Sequence, residues 1–283
     1  MTSYLHDFIS KKSLTDKNLS PQESFSVFYH NIFEYPLTFS ELIKWMPATA
    51  PQTKANVEYK DGFYFVRGSG RLIYKRTVRK RISQKKIKIA KKATRVISLM
   101  GNVKMVGISG SLAMENAEEG GDIDLMIITK KGKLWTTRVV VYFLLKLFGF
   151  FIRTSGKVNQ KDGLCLNIWL DESDMVWNKE EKNYFTAHEI LQIIPLFNKN
   201  KTYENFLLNN KWALDFWPNV VDIKYKNKSL STKLSKLGLI DSLAFKAQYL
   251  YMKPKITREL ITQTRAIFHP NDLSAKILAK IST

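Results

Sequence analysis

Two aspartates one residue apart, Asp122 and Asp124, sit in an apolar setting: Ile123 lies between them and Leu125-Met126-Ile127-Ile128 follows. Successive side chains of a strand point to opposite faces, so a strand here sets both carboxylates on one face and Ile123 and Leu125 on the other. Two carboxylates held so close repel each other unless a cation lies between them. Neighbouring hard oxygen ligands suit Mg2+ (or Mn2+), which takes one or two carboxylates and completes its shell with phosphate oxygens and waters. Just upstream, Val106-Gly107-Ile108-Ser109-Gly110-Ser111 reads as a strand ending in a turn. Gly110 permits close backbone approach, and the amides that follow, with the Ser111 hydroxyl, make an anion pocket at a helix start. Ten residues separate Ser111 from Asp122, room for a short helix and a turn that bring both ends to one pocket. Phosphate donors opposite an acid pair have the chemistry of a site for a metal-bound nucleoside triphosphate.

Gly110-Ser111 followed by Asp122-x-Asp124 in an apolar strand resembles the signature of the DNA polymerase β-like nucleotidyltransferase superfamily. The resemblance spans about residues 103–129 and extends loosely to a strand at Leu164–Leu170. It implies an NTP substrate and transfer of a nucleoside monophosphate to an acceptor hydroxyl, with two Mg2+ (or Mn2+) ions. It implies that Asp122 and Asp124 are catalytic and ligate both metals, and that Gly110 and Ser111 bind the distal phosphates. Such a site normally has a third acid on a neighbouring strand, but Leu164-Cys165-Leu166-Asn167-Ile168-Trp169-Leu170 has none. Asn167, sharing a face with Cys165, is the best match for that position, and its amide oxygen is a weaker, neutral ligand. Asp162, Asp171 and Glu172 flank the strand as fallbacks. Glu115 stands where relatives keep a small residue, and Gly121 where a serine often precedes the first aspartate. Lys130, Lys131 and Lys133 read as a solvated strand end. These departures open a second reading, a catalytically degenerate regulator that binds nucleotide or nucleic acid on the same fold. A structural adaptor is a third.

The elements that must position these residues form an α+β chain. Residues 1–73 resemble a winged helix: a helix over Pro21–Phe33, a second opened by the Thr38-x-x-Glu41 capping box, and a hairpin through Lys60-Asp61-Gly62. Ala48–Asn56, the slot for a DNA-reading helix, contains Pro51 and little periodicity, which favours a packing or protein-contact unit. Residues 74–100 form a basic linker helix, with 11 cations and no acid from Lys75 to Arg95. Val78, Ile82, Ile89, Ala93, Val96 and Met100 give it one apolar stripe. Like charges so crowded read either as a solvated, Lys-rich face or as the seat of an anionic neighbour, and on the second reading nucleic acid along residues 75–95 is a further expected partner beside the NTP. Residues 101–178 form the small mixed-sheet nucleotidyltransferase domain, with strands at Val103–Ile108, Ile123–Thr129 and Leu164–Leu170 and a helix over Trp135–Phe151. Residues 179–283 read as a helical C-terminal domain with helices near Tyr184–Ile194, Thr202–Phe216, Ile240–Met252 and Arg258–Phe268, punctuated by prolines.

The 283 residues hold 45 Lys and Arg against 25 Asp and Glu, a net charge of +20. A single cysteine, Cys165, excludes a disulfide framework and a cysteine-held zinc, and favours a reducing compartment. The histidines, His6, His30, His188 and His269, show no metal-ligand spacing. The first twelve residues lack a secretory pattern. The greasiest stretch, Val139–Ile152, falls short of the roughly 20 residues that span a bilayer and reads as a buried core helix. A soluble cytoplasmic protein without a membrane partner is expected. Thr186-x-x-Glu189 fits a capping box that accounts for His188, and Phe206, Trp212, Phe216 and Trp217 read as core.

Overall fold

A computed structural model describes residues 19–51, 55–154, 160–177, 179–221, 238–256, 259–268 and 273–281. The helices are α1 (Pro21–Asn31), α2 (Phe39–Lys44), α3 (Leu72–Ile97), α4 (Gly110–Ala113), α5 (Leu134–Leu147), α6 (Tyr184–Leu191), α7 (Thr202–Asn209), α8 (Leu239–Met252) and α9 (Leu273–Ile281). The strands are β1 (Leu37–Thr38), β2 (Val57–Lys60), β3 (Phe63–Val66), β4 (Val103–Ile108), β5 (Ile123–Thr129), β6 (Leu164–Asp171), β7 (Ile194–Asn198), β8 (Leu260–Ile261) and β9 (Arg265–Ile267). Six strands make one mixed sheet in the order β7-β4-β5-β6-β9-β8; β5 and β6 are parallel and the other pairs antiparallel. The chain is thus α+β.

The central strands are buried on both faces, which is why β5 is almost wholly apolar after Asp124. Ile123, Leu125 and Ile127 face a core shared with α3, α5 and α8. Met126 and Ile128 face the opposite core, shared with α1, α6, α7 and α9. Asp124 has the parity of Met126, so the acid pair lies on the second face. The N-terminal residues add a three-stranded sheet, β1-β3-β2. Its hairpin turns through Asp61 and Gly62, both at positive φ (51° and 85°), as a two-residue connection of this twist requires. The Thr38–Glu41 capping box forms as expected, and Ser20–Glu23 makes another on α1. No helix lies between α2 and β2 among the described residues.

Three expectations need correction. The segment after 179 is not simply helical, because three of its strands complete the large sheet. Ile194-Pro195 reads as a helix end, yet the helix stops at Leu191 and Ile194–Asn198 becomes the edge strand β7, where a proline is tolerated because no further ladder bond is needed. The helix expected over Arg258–Phe268 is instead the hairpin β8–β9. The Thr262 hydroxyl accepts from the amides of Thr264 (3.2 Å) and Arg265 (3.0 Å), so a side-chain-stabilised turn overrides helical spacing.

The C-terminal half of the basic helix packs as expected, with Ala93 buried and Ile89, Val96 and Met100 against the same core, but its N-terminal half turns another line inward. Its buried seam runs through Leu72, Arg76, Ser83, Lys86, Ala90, Ala93 and Ile97. Two cations are therefore inside, each with an internal acid: Arg76 donates to Glu41 (2.6 Å) and Lys86 to Asp162 (2.6 Å). Lys75 and Arg79 both bond Glu34. The chain itself supplies part of the anionic neighbour that the charge run calls for. Finally, α5 stops at Leu147, before Gly149 turns at φ +76°, and only one side of it is buried.

Candidate active site

The last residues before β5 and its second residue supply Asp122 and Asp124, and β6 supplies Cys165, paired directly with Asp124 in the parallel ladder. Ligand atoms of these three side chains all lie within 4.8 Å of one another. The register then slips: Asp124 pairs with Cys165 but Met126 pairs with Ile168, so β6 carries one extra residue. Cys165 and Asn167, two residues apart, share the acid face as strand alternation dictates, and the extra residue brings Ile168 onto that face beside Asn167, level with Met126. Asn167 Nδ2 donates to Asp124 Oδ1 at 2.9 Å, and Asn167 is itself buried.

Gly110 opens α4 against the same carboxylate. A Cβ at Gly110 would lie 2.7 Å from Asp124 Oδ2, and the backbone there is at φ +60°, so this position needs glycine twice over. The amide of Ser109 donates to the Asp124 carbonyl (3.1 Å), extending the β4–β5 pairing into the turn. Asp122, Asp124, Gly110, Ser111 and Asn167 all line one cavity of about 400 Å3, so the structure brings the five sequence-derived site residues together.

The electrostatics are those of crowded acids. Burial, then the charge of Asp122, pushes Asp124 up to about 7. Burial and the two aspartates also push the Cys165 thiol up, so it stays protonated and is a poor metal ligand. Arg153, in the loop after α5, donates to Asp122 and reaches Cys165 Sγ at 3.7 Å. Its guanidinium offsets the acid pair from the side. Two buried oxygens near the pair, Asn167 Oδ1 and Ser109 Oγ, have no hydrogen-bond partner. Two carboxylates with an orphaned amide oxygen beside them form a hard donor set that fits Mg2+ or Mn2+.

Several residues of the cavity carry no signal in the sequence. Glu189, Gln192 and His188 come from α6 and its end, His30 and Phe33 from α1 and its end, and Arg153 from the loop after α5. The helix α6 starts at Tyr184 and is capped by Asn183, which accepts from the Thr186 amide (2.9 Å), so Thr186 and Glu189 do not form the expected capping box. Glu189 instead takes a bond from Gln192 (2.6 Å), and burial followed by the Asp124 charge pushes it up to about 7. His188 and His30 meet Nε2 to Nε2 at 3.2 Å. His30 Nδ1 lies 2.8 Å from the Ser26 carbonyl and must donate to it, which makes His188 the donor between the rings.

The fallback acids are occupied elsewhere. Asp162 pairs with Lys86, Asp171 accepts from Ser173 and the Gly132 amide, and Glu172 accepts from the Lys131 amide. Glu115 lies 3.9 Å from Lys80 and does not line the cavity. Lys130, Lys131 and Lys133 are likewise absent from its walls. His6 and His269 lie outside the described residues. Compared with known proteins, the chain matches no family model, no curated protein and no solved structure.

Proposed function

We propose that this protein is a nucleotidyltransferase that moves a nucleoside monophosphate from a Mg–NTP to an acceptor hydroxyl. One observation carries the reading: Asp122, just before β5, and Asp124, within it, open on one cavity that the Gly110–Ser111 turn also lines, with Gly110 packed too tightly on Asp124 to admit a Cβ. Asp122 and Asp124 would hold the divalent cation, with Asn167 Oδ1 turned to join them. The bound ion would supply Lewis-acid stabilisation of triphosphate charge and a lowered acceptor pKa. Gly110 lets phosphate approach the backbone, and Ser111 offers a hydroxyl at the rim. The aromatic side of the cavity, Phe33 and Phe185, gives a base or sugar an apolar wall that excludes water. The small β1-β3-β2 sheet with α1 and α2 is read as a winged-helix-like unit lacking its recognition helix. The acceptor is open among RNA ends, small molecules, nucleotides and protein side chains.

A second reading, the degenerate regulator, is favoured by two features. Arg153 already bonds Asp122, and the neighbouring strand offers Cys165 and Asn167 where an acid completes such a site. Titration calorimetry with NTPs and Mg2+ or Mn2+, paired with transfer assays using radiolabelled NTPs against RNA, small-molecule and protein pools, separates the two. Metal-dependent binding with label transfer supports the enzyme. Binding without pyrophosphate release supports the regulator. Equal behaviour of wild type and Asp122→Asn/Asp124→Asn in both assays overturns the site.

A further inference from the structure

The face of the sheet turned away from the aspartates is covered by α3, α5 and α8, which pack side by side. Their inner sides fill the core. Their outer sides do not have the charged, mixed surface of a helix that faces only water. On α5, Val139, Phe143 and Leu147 recur at helical spacing and run on into Phe148 and Phe151; Phe143 is 63% exposed and Leu147 66%. On α8, Leu239, Ile240, Leu243 and Leu250 point outward, Leu239 at 81% and Leu250 at 69%. Single exposed apolar residues are ordinary, but large ones gathered on two adjacent helices mark an interaction surface.

The charge of the same layer has one sign. The outward residues of α3 include Arg81, Lys85, Lys88, Lys91, Lys92 and Arg95, and none of the six forms an ion pair among the described residues. Lys146, Lys246 and Lys253 stand exposed among the apolar side chains. No acid belongs to α3 or α5, and the one acid of α8, Asp241, is buried under the start of α5. We infer that this three-helix layer docks on an anionic lipid surface, immersing the outer residues of α5 and α8 at the headgroup boundary while the α3 cations lie against the headgroups. An apolar face ringed by cations, with exposed Glu119 beside Lys85 at its margin and no exposed acid on the three helices, has that chemistry. A polyanion such as RNA would meet the cations but leave the large apolar side chains in water. A second copy would set like charge against like in a chain of net charge +20. No helix among the described residues is long and apolar enough to cross a membrane, so the contact is peripheral.

Co-sedimentation of the full chain with phosphatidylcholine vesicles, with and without phosphatidylserine, tests this. Strong binding is expected only to the anionic vesicles. The variant Phe143→Ser/Leu147→Ser/Leu243→Ser, which leaves the charge unchanged, should bind them about tenfold more weakly with an unchanged melting temperature. The variant Lys85→Gln/Lys88→Gln/Lys92→Gln should weaken binding and flatten its salt dependence. Serine substitutions that leave vesicle binding intact overturn the inference, since attraction would then be general to a basic chain. So does failure to bind any vesicle, whether the protein then proves to be a dimer that the serine variant dissociates or an RNA binder that the glutamine variant disables.

Discussion

Asp124 is held by the main chain of Ser109, touched by Asn167 and packed against Gly110, so its carboxylate has little freedom to leave the cavity. Asp124→Asn keeps the shape and removes the charge. Calorimetry should show the metal-dependent part of NTP affinity falling at least about tenfold, with little change in melting temperature. Gly110→Ala would force a Cβ onto the carboxylate at a left-handed backbone position; a stability loss of about 1–2 kcal/mol in urea unfolding is expected, with weaker Mg–NTP binding. Arg153→Ala removes a cation that competes for Asp122, so Mn2+ affinity measured by paramagnetic resonance should rise several-fold, the opposite direction from Asp124→Asn. The two aspartates and the glycine are legible in sequence because period two and backbone freedom are local properties. Arg153 is not, since only the path of the loop after α5 brings it back to the start of β5.

At the scale of elements, strands and caps were read where the signal was local. Residues 103–108 and 123–129 emerge as strands with those bounds, and the Asp61-Gly62 hairpin and the Thr38 capping box form as their residues demand. Alternation already sets Asn167 on the face of Cys165, but the bulge in β6 left no mark in sequence, because an extra residue is defined only against the partner strand, and it is what brings Ile168 onto the face of Met126. Strands β7, β8 and β9, the first two at the sheet edges, were hidden for a related reason: short strands gain their stability from the sheet they join rather than from their own composition. One tertiary cap is also testable. Asp241 at the start of α8 accepts from the Thr136 amide (2.8 Å) and hydroxyl (2.7 Å) at the start of α5, tying the two helices together while buried. Asp241→Ala should lower stability by about 1–3 kcal/mol in chemical denaturation, with no effect on any Mn2+ affinity of the proposed site.

Across the whole molecule, the N-terminal residues and the sheet domain are joined by aromatic packing around the paired His30 and His188. Trp45 stacks on His188 at 4.0 Å between ring centroids, and Tyr29, Phe25 and Trp217 close the cluster. Burial, opposed by the bond to the Ser26 carbonyl, pushes His30 down to about 4. Above the ordinary histidine range both folded and unfolded chains hold it neutral. As pH falls from about 6.5 towards 4 the unfolded chain takes up a proton that the folded chain refuses, so stability drops, by up to about 3 kcal/mol for this residue. The buried carboxyls of Asp124 and Glu189, raised to about 7, act in the opposite sense over much of that window. Comparison with His30→Gln cancels those carboxyls. The variant should be the less stable protein at pH 7.5, and its urea midpoint should approach that of wild type as pH falls to 4.5.

The sequence alone determined the acid pair, the glycine that lies against it, the two central strands and the positive charge, because each depends on residue type and near-neighbour spacing. Tertiary structure decided which cations of α3 are buried with internal acids and which face outward. It also decided that Glu189, His30 and His188 join the cavity, and that the apolar helix at 134–147 shows half of itself to the surroundings. Those are questions of which surfaces meet, and they are settled by long-range packing that no local spacing encodes.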